Sequence, residues 1–110
     1  MTATGSVMQA MELKPRKKRM LRIEADEYLD WRSYHIFYEA AFRCSHRLIK
    51  AMEIDLSKTR VITRSGLSML LMLIKESGLS SDAIVLMNCQ PEIRSQLASC
   101  SFSRRFQLPQ

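Results

Sequence analysis

Met52-Glu53-Ile54-Asp55-Leu56-Ser57, a polar link Lys58-Thr59-Arg60, and then Val61-Ile62-Thr63-Arg64-Ser65-Gly66-Leu67 form the stretch that decides the fold. From Met52 to Leu56 apolar and acidic residues alternate, the period of a short strand with one buried face. Val61-Ile62 is a second extended piece. Beyond it the period changes: Leu67, Leu70, Leu71 and Ile74 recur at threes and fours, Met69, Met72 and Leu73 widen the stripe, and Gly78 stands where a left-handed residue closes a helix. A helix this apolar has to be covered, most simply by a sheet. The corner between strand and helix offers the first backbone N–H groups and the positive end of the helix dipole.

Upstream, Val7–Leu13 and Met20–Ala25 both alternate, with Lys14–Arg19 between them, so an antiparallel hairpin with a basic tip is expected. Asp30 is a capping residue, and no Gly or Pro follows for twenty positions. Tyr34, Phe37, Ala41, Cys44 and Leu48 fall on one stripe, which predicts a helix ending near Ala51, with the strand beginning at Met52. Downstream, Ala83–Met87 predicts a buried strand and Pro91 the first turn of a helix with Ile93, Leu97 and Cys100 inward. Phe102, Phe106 and Leu108 suggest a closing strand or extended tail. Strands alternating with helices after a hairpin predict an α/β domain: a mixed sheet of four to five strands packed against three to four helices. Residues 1–6 are small and polar and are expected to be disordered, leaving 7–110 as one domain.

A chain of 110 residues with 46% hydrophobic content has enough for one core, so function sits on the rim of a single unit. The formal charge of +6 is local: Lys14, Arg16, Lys17, Lys18 and Arg19 carry most of it, and acidic residues follow at Glu24, Asp26, Glu27 and Asp30. The basic run is a candidate anion-binding tip for nucleic acid or an anionic membrane surface. No aromatic residue lies among its charges to stack on bases, which favours a solvated tip or one that repels edge-to-edge aggregation. Cys44, Cys89 and Cys100 are odd in number and, with His35 and His46, follow no metal-ligand spacing. Unpaired thiols, no apolar export block in Met1–Ala10 and no apolar run near the ~18 residues of a bilayer span predict a cytoplasmic protein. With three glycines there is no phosphate-cradling loop, and neither histidine has a matched acid. No enzyme, metal or cofactor is expected.

The pair Asp55-Leu56-Ser57 and Thr63-Arg64-Ser65-Gly66-Leu67 resembles, in residues and spacing, the signature of the STAS family (sulfate transporter and anti-sigma factor antagonist), in which Asp-Leu-Ser leads to Asp-Ser-Ser-Gly-Leu at a helix start. Asn88-Cys89-Gln90-Pro91-Glu92-Ile93-Arg94, with Leu97, looks like the family's strand–Pro–helix segment, and Ala25–Asp30 stands where the family has its turn before the first helix. The resemblance covers roughly Met20 to Leu108. It implies a bacterial signal-transduction module, non-enzymatic, that regulates transcription by docking an anti-sigma factor, a kinase-like switch protein or another STAS chain through Thr63, Arg64, Ser65, Gly66 and Leu67.

Two positions depart from the family. Its Asp is Thr63, and its phosphorylated hydroxyl is Arg64, which has no oxygen to accept a phosphoryl group and carries the opposite charge to a phosphoserine. The usual phosphate switch is therefore not expected, and Ser65 and Thr63 are the hydroxyls left for a kinase of altered register. Ser65 is expected to cap the helix, Gly66 to let a partner approach the backbone, and Arg64 to offer a forked cation to a partner carboxylate. A purely structural corner, with Arg64 solvated, is the plainer alternative. Loss of the hydroxyl also suits a constitutive role, as a STAS subunit on the ATPase of a phospholipid-transport ABC transporter or in a signalling scaffold. The first strand is a candidate sheet edge for homodimer formation.

Overall fold

The computed structural model describes residues 9–13, 19–46, 49–101 and 103–109, with side chains from Met20 onward except 45–48 and 102. The expected disorder at 1–6 and the basic side chains at 14–19 lie outside the described residues.

Strand β1 (Gln9–Leu13) pairs antiparallel with β2 (Arg19–Glu24), in register from Gln9↔Glu24 to Leu13↔Met20. This is the expected hairpin. The short β3 (Tyr28–Leu29) follows, then a 3₁₀ turn at Trp31–Ser33 and helix α1 (Tyr34–His46). Asp30 caps the turn, its carboxylate accepting the Arg32 N–H at 3.0 Å. Strand β4 (Ile49–Asp55) lies parallel to β2, and β6 (Ile84–Met87) parallel to β4, giving the sheet order β1-β2-β4-β6. Between β4 and β6 come β5 (Val61–Ile62), paired parallel with β3, and helix α2 (Arg64–Ser77), closed by left-handed Gly78 at φ 72°. Helix α3 (Pro91–Ala98) starts on its proline, as its sequence predicts. The mixed sheet packed against helices is thus the expected class, with β3 and β5 forming a second, two-stranded sheet.

One face of the sheet makes the core. Leu21 and Ile23 of β2, Met52 and Ile54 of β4, and Ile84 and Leu86 of β6 are fully buried in adjacent rows. Phe37, Ala40, Ala41 and Cys44 cover them from α1, Met69, Leu70, Leu73 and Ile74 from α2, and Ile93 and Leu97 from α3. Burial pushes the Cys44 thiol up to about 11, so it stays protonated.

Three expectations are corrected. The first helix is described to His46 and the strand starts at Ile49, not at Met52, while Leu48, expected on the helix stripe, lies outside the described residues. A six-residue β2 needs a partner along its whole length, and the ladder recruits Ile49–Ala51 through an irregularity opposite Arg19 and Met20 that breaks the simple alternation. Tyr34 is half exposed rather than inward; the buried stripe of α1 is centred on Phe37, Ala40 and Cys44. In α2 the inner line runs through Gly66, Met69, Leu70, Leu73, Ile74 and Ser77, so Leu70 and Ile74 face inward as expected while Leu67 and Leu71 are half-buried.

At the C-terminal end the chain takes a 3₁₀ turn at Ser103–Arg105, buries Phe106, and bridges Gln107 to Val85. The Leu86 N–H donates to the Gln107 carbonyl (2.9 Å) and the Gln107 N–H to that of Ile84 (2.8 Å). Arg94 of α3 holds this tail by donating to the carbonyls of Leu108 and Pro109 at 2.7 and 2.8 Å. The tail therefore covers β6, while β1 ends the other side of the sheet.

Candidate partner-docking surface

The β5–α2 corner is built from Thr63 outward. Thr63 is extended (φ −79°, ψ 172°) and its N–H continues the β3–β5 ladder to the Leu29 carbonyl at 3.0 Å. Its hydroxyl accepts the Gly66 N–H at 3.1 Å, so Thr63, not the expected Ser65, is the helix cap. The same hydroxyl donates to the Leu29 carbonyl at 3.3 Å and lies 3.1 Å from the Ser65 Oγ. The Thr63 hydroxyl is thus shared among Gly66, Leu29 and Ser65, all within the chain's own corner. Ser65 misses the capping role because it already lies inside the first turn.

Gly66 is buried, and a Cβ there would overlap the Leu29 carbonyl oxygen. The backbone that approaches this glycine is thus the chain's own, which corrects the expectation that the missing side chain makes room for a partner. From a third direction Gln96 of α3 donates to the Ile62 carbonyl at 3.1 Å. Arg64, by contrast, is exposed at the first position of α2. No acidic residue occupies that first turn, so a cation stands where the helix dipole favours an anion. Of the five expected docking residues, Arg64 is exposed, Thr63, Ser65 and Leu67 are half-buried, and Gly66 is closed.

Asp55, at the end of β4, anchors the chain leading to this corner. Its carboxylate accepts the Ser57 N–H at 2.9 Å, the Arg22 guanidinium at 2.9 Å and the Asn88 amide at 3.3 Å. Burial pushes its pKa up, but these donors outweigh it and hold the carboxyl below its ordinary value. Asn88 takes a left-handed conformation (φ 59°) to reach it, and Arg22 also pairs with Glu53 at 3.0 Å.

Sequence reasoning missed a second feature of this face. Trp31, Tyr34, Tyr38 and Phe42 are 66, 49, 56 and 54% exposed. The last three, spaced by four, share one outward line along α1, and Tyr34 stacks on Tyr38 with ring centroids 5.7 Å apart. A groove of about 500 Å³ runs between this line and the start of α2, bordered by Trp31, Tyr34, His35, Ser65 and Met69. The signal is present as aromatic residues at i, i+4, i+8, but the stripe that groups Tyr34 with Phe37 turns it inward. Among the described residues, no group of three or more His, Cys, Asp or Glu is placed to hold a metal, and no helix is long and apolar enough to cross a membrane.

The sequence profile of the STAS domain matches residues 13–109. The chain belongs to the STAS family. Solved structures carry the same fold at low identity. The anti-sigma factor antagonist SpoIIAA in its unphosphorylated form is 12% identical, with a TM-score of 0.68 over 93% of this chain and 89% of that one. An uncharacterized protein of SpoIIAA-like fold from Shewanella loihica is 10% identical, with a TM-score of 0.67 over 98% and 88%. The STAS domain of an anti-sigma factor antagonist from Rhodobacter sphaeroides is 17% identical, with a TM-score of 0.52 over 77% and 90%. No functionally curated protein matches this STAS domain significantly.

Proposed function

We propose that this STAS domain is a non-enzymatic, cytoplasmic signalling module that docks a protein partner through the Thr63–Leu67 corner and is not switched by phosphate there. The observation that carries this reading is Arg64: an exposed cation at the start of α2, where the dipole makes it unfavourable for stability. A cation placed against its local electrostatics fits a contact with a partner carboxylate. The hydroxyls on either side support the absence of a switch. Phosphorylating Thr63 would break its bonds to Gly66, Leu29 and Ser65 together, and the Ser65 hydroxyl is paired with that same cap.

The partner class is an anti-sigma factor, a kinase-like switch protein or another STAS chain. Affinity capture with mass spectrometry from the native bacterial lysate tests the surface: Arg64→Glu loses the captured protein, and undiminished capture would remove the corner from the interface. The commitment of both hydroxyls also favours a second reading, a constitutive STAS subunit on the ATPase of a phospholipid-transport ABC transporter. Co-purification of that ATPase, in place of an anti-sigma factor, distinguishes the two.

A further inference from the structure

Four aromatic rings about half or more exposed on one side of a 110-residue domain call for an occupant. At about 150–250 Å² per aromatic side chain, they leave on the order of 400–500 Å² of apolar surface. Two such stripes facing each other would bury about 900 Å² in total, short of the ~1,200–2,000 Å² of a stable specific interface. A second copy is therefore a poor cover for the stripe alone. The corner of α2 adjoins the stripe across the groove lined by Trp31, Tyr34, Ser65 and Met69, so a partner that covers both buries more than the stripe alone.

Charge favours an acidic partner at the corner end of the surface, where Arg64 is exposed, while the exposed Glu39 lies further along α1 beside Tyr38. Asp30, the carboxylate beside the groove-lining Arg32, is consumed by that guanidinium, whose Nε and Nη2 grip both its oxygens at 3.2, 3.2 and 2.7 Å. Arg64 stands one residue from groove-lining Ser65, on the positive end of α2. Tyr34, Tyr38 and Phe42 form an i, i+4 ridge of the kind that packs into the groove of another helix.

Resting on the proposed docking role of the corner, we infer that the stripe Trp31–Tyr34–Tyr38–Phe42 and the α2 corner form one surface that takes an amphipathic helix of a partner protein, apolar on its inner face and carrying carboxylates along its border. Trp31 is the chain's single tryptophan and lies on the surface in question, so its emission reports occupancy directly.

The probe is a synthetic four-turn amphipathic peptide with Leu on one face and Glu on its borders, titrated against the full chain beside a twin with Lys in place of each Glu. A saturable blue shift of Trp31 emission is expected with the Glu peptide, with affinity about tenfold lower or worse for the Lys twin, for Tyr38→Ser and for Arg64→Glu. Tyr38 is exposed, so circular dichroism of Tyr38→Ser stays native. Absence of a shift, equal affinity for the two peptides, or unchanged affinity of Tyr38→Ser overturns the inference. So does a blue shift that grows with protein concentration alone, which would assign the stripe to a second copy. In the lysate capture, a partner lost by Arg64→Glu but kept by Tyr38→Ser sinks the aromatic extension and leaves the corner reading standing; a partner kept by both sinks the corner reading and this inference with it.

Discussion

Under the proposed docking role, position 64 is expected to separate stability from function. A carboxylate at the first position of α2 suits the helix dipole, so Arg64→Glu is expected to raise the melting temperature by roughly 1–4 °C even as it loses the partner. Thermal unfolding followed by circular dichroism checks this, and a lower melting point would mean that Arg64 makes a stabilising contact. Gly66 behaves oppositely. Gly66→Ala forces β3 and α2 apart against the Leu29 carbonyl and is expected to cost about 3 kcal/mol in urea unfolding. A bulky residue at 66 is thus a poor probe of docking, because it disturbs the fold before it blocks a partner.

Among the elements, the ends of β2, β4 and β6 are tied together by Asp55. A carboxyl whose folded pKa lies below its unfolded value of about 3.9 contributes stability that is complete above that value and is lost as pH falls through the folded pKa. Urea midpoints measured from pH 6 to pH 2 are expected to fall below about pH 4 in the parent chain, and Asp55→Asn to flatten that fall while lowering stability at pH 6. An unchanged acid limb in Asp55→Asn would assign acid sensitivity to other carboxylates. The elements themselves were largely legible in the chain. The alternation of Met20–Ala25, the switch of period after Ile62, Gly78 and Pro91 each carry a local signal that the packed structure obeys. The β4 start and the aromatic line were not, because each depends on a neighbour. Ile49–Ala51 is strand only because β2 lies beside it, and Tyr34 faces outward because Phe37, Ala40 and Cys44 already fill the space over the sheet. The cap was misplaced by two residues because both Thr63 and Ser65 have the right chemistry, and the choice between them is made by Leu29, distant in sequence.

At the scale of the whole molecule, the sheet is protected on one side by its own C-terminal segment. Phe106 is its anchor, buried against the core, and the Gln107 bridge pairs the backbone of β6. Phe106→Ala is expected to cost about 3–5 kcal/mol and to leave β6 open to pairing with other chains, seen as scattering that rises with protein concentration. Scattering equal to that of the parent chain would show that Gln107 and Arg94 hold the segment without the ring. The closed space over Gly66 carries a different kind of consequence, for tolerance to change. Residue 64 is one exposed side chain whose replacement leaves the backbone untouched, whereas any side chain at 66 disrupts the joint between β3 and α2. A change of the exposed side chain at 64 is therefore expected to leave the fold standing, while a change at 66 is expected to be felt by every element that meets at the corner.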